Sequence, residues 1–184
     1  MQHFLLEERQ SYTGHALRSH WIYQQTGQSG DAIIAFHGSC DVRLSEMVDL
    51  ADVQENAPIY SENMLHFLIE HFQVPLDSMI LRQRLFTSIL QDLLRKAGCQ
   101  NLRRSGDDLF DGEAKLSVSI ATVSPVSGLI HLGLNISSHN TPVPTIGLAD
   151  YGLEWKDVAR QALQAYCGEM QEVKKALVKV RWVH

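Results

Sequence analysis

Between Arg104 and Ile136 lie the residues whose types and spacing could do chemistry. Asp107 and Asp108 form an acid pair beside Gly106. Lys115 opens an alternating L-S-V-S-I run, and Asn135 ends a second apolar stretch beyond a Pro/Ser/Gly turn. This spacing predicts an acid pair, a cation and an amide at the ends of neighbouring strands, a grouping that could hold a charged ligand. Lysine serves such a site as a compact point charge for a carboxylate or phosphate. One or two carboxylates can bind magnesium while it keeps several waters, which makes Asp108 the candidate metal ligand. Plainer readings stand beside these: an exposed lysine at a strand start, and a turn closed by its own aspartates. His131, on an apolar run, reads first as a hydrogen-bonded core histidine.

A second grouping is His37-Gly38-Ser39-Cys40-Asp41. Cys40 has a histidine three residues away, so it is a candidate nucleophile whose thiolate a nearby imidazolium would favour. The alternative is packing, since free cysteine behaves as a small buried hydrophobe. Asp49 and Asp52 read as solvated surface. Arg82 and Arg84 project to different sides of a helix, so at most one faces a pocket. His66 and Glu70 are four apart and could face one way, but a metal site would need a third ligand.

These residues need elements to position them. Residues 10–27 read as strand with turns. Ala32–Phe36 reads as a short buried strand that empties into a polar loop at His37–Asp41. Met47–Leu50 is a short strand or a helical turn. Ser61 as an N-cap and the spacing of Met64, Leu65, Leu68, Ile69 and Phe72 predict a helix near 62–73, stopped by Pro75. A longer helix starts at Asp77 or Ser78, with Ile80, Leu81, Leu85, Ile89, Leu93 and Leu94 on one face. It ends at Lys96, with Gly98 at the C′ position. Two or three strands follow over 101–137, with turns at Asp111-Gly112 and Ser124–Gly128. A helix from Leu153 or Trp155 to Leu177 comes next, then an alternating terminal strand, Val178–Val183. The order predicts a single α/β (α+β) domain over 1–184, with a mixed, mainly antiparallel sheet packed with helices.

Bulk properties bound the function. The chain has 184 residues, enough for one substantial core. Net charge is −5, and the only adjacent basic pairs are Arg103-Arg104 and Lys174-Lys175. A nucleic-acid partner is therefore not expected, because phosphate backbones need clustered lysine and arginine. The three cysteines are widely spaced, with no zinc motif or disulfide framework. No leader segment and no membrane span are read, which makes the cytoplasm the expected location. The expected partner is a small-molecule ligand, with room for a homodimer.

The residues around Lys115 resemble the biotin and lipoate protein ligase superfamily, itself similar to class II aminoacyl-tRNA synthetases. Biotin ligases carry W-P-N-D followed by an aliphatic and an aromatic residue, a short loop, then K-L/I-x-G. Here S-G-D-D-L-F, the loop D-G-E-A and K-L-S-V-S stand in that order. The later G-I/L-N-I/V of the superfamily is matched by Gly133-Leu134-Asn135-Ile136. His131 to Ile136 also resembles a motif of octanoyltransferases. The chain as a whole resembles domain of unknown function 366 (DUF366). The resemblance implies a ligase-like fold and, in activity, a ligase or acyltransferase acting on a small carboxylic acid, with ATP and magnesium as cofactors. It implies that Lys115 contacts the acyl carboxylate or α-phosphate, with Asp108 and Asn135 near the nucleotide and magnesium. His37, Gly38 and Arg43 would lie in the loop over the ligand. Three departures stand out. The segment H-G-S-C-D-V-R has one glycine and one arginine where ligases have an arginine- and glycine-rich loop. Val118 replaces the glycine after K-L-x. Ile146 stands near the place of the octanoyltransferase cysteine. A binding protein that has lost the adenylation loop is the alternative.

Overall fold

The computed structural model describes residues 1–56 and 59–183. A five-stranded sheet forms its centre. In chain order its strands are β1 (Gln2–Arg9), β2 (Ala32–Val42), β3 (Ile59–Phe72), β7 (Ser117–Val123) and β8 (Ser127–Asn135). Their spatial order is β1-β2-β3-β8-β7. Only β1 and β2 run parallel; the other pairs are antiparallel. Three short strands, β4 (Leu102–Ser105), β5 (Asp108–Asp111) and β6 (Ala114–Lys115), make a second small sheet. The mixed, mainly antiparallel sheet expected from the element order is present.

Both faces of the central sheet are covered. Helices α3 (Leu76–Lys96) and α4 (Trp155–Lys179) pack on one face, where Phe86, Leu90, Leu94, Leu163 and Tyr166 meet Ile33, Phe67, Ile69 and Leu132. The other face is covered by the chain through Tyr12 and by α1 (Trp21–Thr26), against Ile34, Phe36, Met64 and Leu68. A short helix, α2 (Leu50–Gln54), stands at the edge of this second face, with the Asp49 side chain capping it through the Ala51 N–H at 2.8 Å.

Helix α3 has nearly the bounds its sequence signals predict, but its buried face is Met79, Gln83, Phe86, Thr87, Leu90 and Leu94, while Ile80 and Leu81 of the expected stripe are exposed. Its end closes with Cys99 N–H donating to the Leu94 carbonyl and Gly98 N–H to the Arg95 carbonyl, with Gly98 at φ +115°. This double bond to the last turn needs a residue that tolerates positive φ, hence glycine. Helix α4 likewise occupies its expected place.

The span 101–137 holds five strands rather than two or three, and four further local expectations are overturned. The run 59–72 is strand β3, not a helix. It is the central strand of the sheet and is buried on both faces, so apolar side chains fill alternate positions on each side. Met64 and Leu68 lie on one face and Leu65 and Ile69 on the other, and together they mimic helical spacing. His37–Asp41 is not a loop: β2 runs through it to Val42, with a register shift between Gly38 and Cys40. The strand near the N-terminus lies at Gln2–Arg9, while Trp21–Thr26 is helical. Val178–Val183 is not a strand. Helix α4 continues to Lys179 and the residues beyond it pair with no sheet among the described residues.

Candidate functional site

Lys115 and Asp108 meet because β5 and β6 form a tight hairpin. The ammonium Nζ lies 2.7 Å from Asp108 Oδ2. Burial pushes the Asp108 carboxyl above its usual range, outweighing the pull of the Lys115 charge. Asp107 turns toward α3, where its Oδ2 accepts from Gln83 Nε2 at 2.8 Å and from Ser119 Oγ at 3.3 Å. Asn135 ends β8 and is buried; its Nδ2 donates to the Lys115 carbonyl at 3.2 Å. The backbone on either side of Lys115 is fixed as well. Its N–H donates to the Pro144 carbonyl, and its own carbonyl accepts from the Ile146 N–H.

The four residues singled out in the sequence line one cavity of about 240 Å³. Strand β7 supplies Val118 and Ser119, the 141–145 segment forms a wall, and Asp49 and Asp52 close it from α2. A second chamber of about 50 Å³ adjoins it and shares Asp49, Asp52, Ile59, Val118 and Ser119. Tyr12, Leu17, Cys40, Val42, Ile120 and His131 give this chamber its apolar walls. Val118, which stands where ligases have a glycine, is thus part of the wall of both spaces.

The upper chamber ends on a stack of rings. His131 lies against Tyr12 with ring centroids 3.8 Å apart and planes 8° from parallel. His131 Nε2 is 3.1 Å from His66 Nδ1, and His66 Nε2 is 3.3 Å from the Gly38 carbonyl. Burial lowers both imidazoles; His66 falls to about 3, and His131 lies well below the ordinary histidine range. His131 is therefore the bonded core histidine the sequence suggested, but one that also faces a cavity.

Cys40 and His37 are not brought together. Cys40 belongs to the face with Tyr12 and Phe36, whereas the His37 ring lies 4.2 Å from the Trp155 ring on the helix-covered side. Alternation along β2 puts Cys40 on the same face as Phe36 and His37 on the other, and burial pushes the Cys40 thiol up to about 12. A thiolate is not available there near neutral pH. Gly38 is a close-approach point, because a Cβ would lie 2.0 Å from the Gln10 carbonyl oxygen. Neither His37, Gly38 nor Arg43 lines the cleft; Arg43 is an exposed residue ahead of a short 3₁₀ turn. His66 and Glu70 do share a face of β3. Glu70, however, accepts from the His20 N–H at 2.9 Å and Ser127 Oγ at 2.6 Å. Among the described residues no three His, Cys, Asp or Glu side chains are grouped to hold a metal ion.

The sequence missed Asp49, Asp52 and Tyr12. Their only local signal was two aspartates three apart at a helix start, which puts both near one helix face. What they face depends on where α2 lands.

An antiparallel-dominated sheet flanked by two long helices, with a cleft between the small sheet and β7, defines the biotin/lipoate ligase fold class. A biotin protein ligase from Aquifex aeolicus in complex with biotin and ATP matches at TM-score 0.62 with 12% identity, over 93% of this chain and 72% of that one. A bipartite lipoate protein ligase from Thermoplasma acidophilum matches at TM-score 0.59 with 16% identity, over 93% and 83%. Within this class the chain belongs to the DUF366 family, domain of unknown function, matched over residues 1–181. Uncharacterized protein MJ0805 of Methanocaldococcus jannaschii is 34% identical over 97% of this chain and 84% of its own length. A protein of unknown function from Pyrococcus horikoshii aligns at TM-score 0.92 with 37% identity, covering 99% of this chain and all of that one.

Proposed function

We propose that this protein is a small-molecule receptor built on the ligase fold, with its ligand in the two-chambered cleft beside Lys115 and without adenylate chemistry. One observation carries the reading. Among the described residues the only Lys or Arg lining the cleft is Lys115, already ion-paired to Asp108, while Asp49, Asp52 and Asp107 line the same space. A triphosphate would meet more negative than positive charge there. The residues do not fit ATP. Nor do they fit ATP with magnesium as the resemblance implies, since Asp108 is paired to Lys115 and Asp107 accepts from Gln83 and Ser119.

A second reading is ligation or acyl transfer of a small carboxylic acid. It is favoured by the convergence of Lys115, Asp108 and Asn135 at one cavity in the order the sequence resemblance implies. Thermal shift with ATP and magnesium, with biotin, lipoate and octanoate, and with non-nucleotide ligands separates the two. A ligand at about 100 times its dissociation constant adds roughly 2.7 kcal/mol. The receptor reading expects a shift from an organic ligand that is the same with and without ATP and magnesium. A shift that requires both the acid and ATP would replace it with the ligase reading.

A further inference from the structure

The tautomers of the buried histidine pair are fixed by the group at its end. The Gly38 carbonyl can only accept, so His66 Nε2 carries a proton and donates to it. A neutral His66 then presents a lone pair at Nδ1, and His131 Nε2 must be the donor in the bond between the rings. Neutral His131 is left with an unprotonated Nδ1. His131 is 4% exposed, lines the upper chamber, and has no partner for Nδ1 among the described residues. The Tyr12 hydroxyl, on a residue 3% exposed, lines the same chamber and is likewise without a partner among them. Neither atom is among the fully enclosed unpartnered ones of the described core. Both border the chamber, where His131 Nδ1 can accept from a ligand that brings a donor.

The charge at the other end is of one kind. Among the described residues Glu46, Asp49 and Asp52 line the upper chamber with no lysine or arginine, Glu46 lying 3.5 Å from the His15 ring, and Asp107 and Asp108 continue the series below. Lys115 offsets one of these. Asp49 is held in its helix cap, but the Asp52 carboxylate has no hydrogen-bond or ion partner among the described residues. Burial and then Asp49 push its carboxyl above the usual range. A cation bound there would relieve both the burial cost and the repulsion among like charges.

We infer that the cleft takes a free organic amine. Its ammonium sits among Asp52 and the neighbouring carboxylates, and its apolar chain lies between Val118, Ile59 and Ile120. A hydroxyl or N–H at its far end donates to His131 Nδ1. This rests on the receptor reading above and names the ligand class. The size of the upper chamber, about 50 Å³, supports a small, slender ligand.

The test is calorimetric titration of the full chain with aminohexanol, hexylamine, hexanol, hexanoate and ATP with magnesium. Aminohexanol is expected to bind tightest, with hexylamine several-fold weaker for want of the terminal donor. Hexanol and hexanoate should bind at least about tenfold more weakly than either amine. Asp52→Asn, on an exposed short helix, should weaken aminohexanol about ten- to hundredfold and leave hexanol unchanged. His131→Phe keeps a ring against Tyr12 and should erase the advantage of aminohexanol over hexylamine. Tighter binding of hexanoate than of the amines, or amine binding indifferent to Asp52→Asn, would overturn the amine class while leaving a receptor in place. Binding of ATP with magnesium alone would overturn both readings, as would an absence of binding across the series.

Discussion

At the scale of single residues, Lys115 separates the two ligand classes. If the cleft held a carboxylate, Lys115→Ala would abolish binding. If it holds an amine, the same change removes the one opposing charge among the described residues of the lining and frees Asp108. Amine affinity should then rise several-fold by calorimetry, and its loss would count against the account. The same variant should cost about 1–2 kcal/mol in urea unfolding, because Asp108 loses its partner in a partly buried setting. Lys115→Arg should not restore the geometry, since a forked guanidinium does not replace a compact ammonium. Cys40 gives a second check. Its buried, elevated thiol should resist iodoacetamide near neutral pH, and the half-buried Cys167 should label first. Faster labelling of Cys40 would reopen the nucleophile reading. Lys115, Asp107, Asp108 and Asn135 were legible in the sequence because each lies at a strand end or turn with local signals. Asp52 was not. An aspartate on a short helix looks solvated until the tertiary fold sets that helix over a cleft.

The same division between local and global signals holds for whole elements. The bounds of helix α3 were legible because its basic last turn and Gly98 act within a few residues; its buried face was not, since Ile80 and Leu81 of the expected stripe are exposed. Strand β3 was not, because a strand buried on both faces loses the alternation that marks strands. The extension of β2 through His37–Asp41 depends on a register shift that no short-range pattern announces. Two glycines on these strands allow a graded test. At Gly38 a new Cβ meets the backbone oxygen of Gln10, which cannot move without breaking the bond between Gln10 N–H and the His37 carbonyl. At Gly133 it meets the flexible Met64 side chain, with Sδ at 2.6 Å. Gly38→Ala should therefore cost at least the upper end of the ~1–3 kcal/mol typical of overpacking, and Gly133→Ala distinctly less. Chemical denaturation of the two variants measures the difference. Equal costs would mean that the chain near Gln10 yields as easily as a methionine.

Across the whole molecule, three buried histidines tie stability to pH. His66, His71 and His131 are all held below the ordinary histidine value of 6.5 by burial. On acidification the unfolded chain takes up protons at these positions before the folded one can. Stability should therefore be full above about 6.5 and fall as the pH drops from there toward the folded His66 value of about 3. Asp31, lowered to about 2 chiefly by its His71 and Phe72 hydrogen bonds working against burial, adds a further loss below 3.8. Asp108 and Asp52, raised in the fold, act in the opposite direction, but both are partly open to water and weigh less. Urea midpoints measured from neutral to acid pH should decline from near 6.5; a flat profile would mean that these rings are solvated. The sheet order and the packing of two helices on one face place this chain in the ligase fold class, while the proposed receptor role rests on the carboxylate-rich lining of its cleft. The most direct test of that claim is amide chemical-shift mapping with aminohexanol and, separately, with ATP and magnesium. The account predicts that aminohexanol moves the amides of Asp52, Lys115, Val118, Ser119 and His131 and that ATP with magnesium leaves them in place. Shifts of those same amides with ATP and magnesium, and none with the amine, would contradict it.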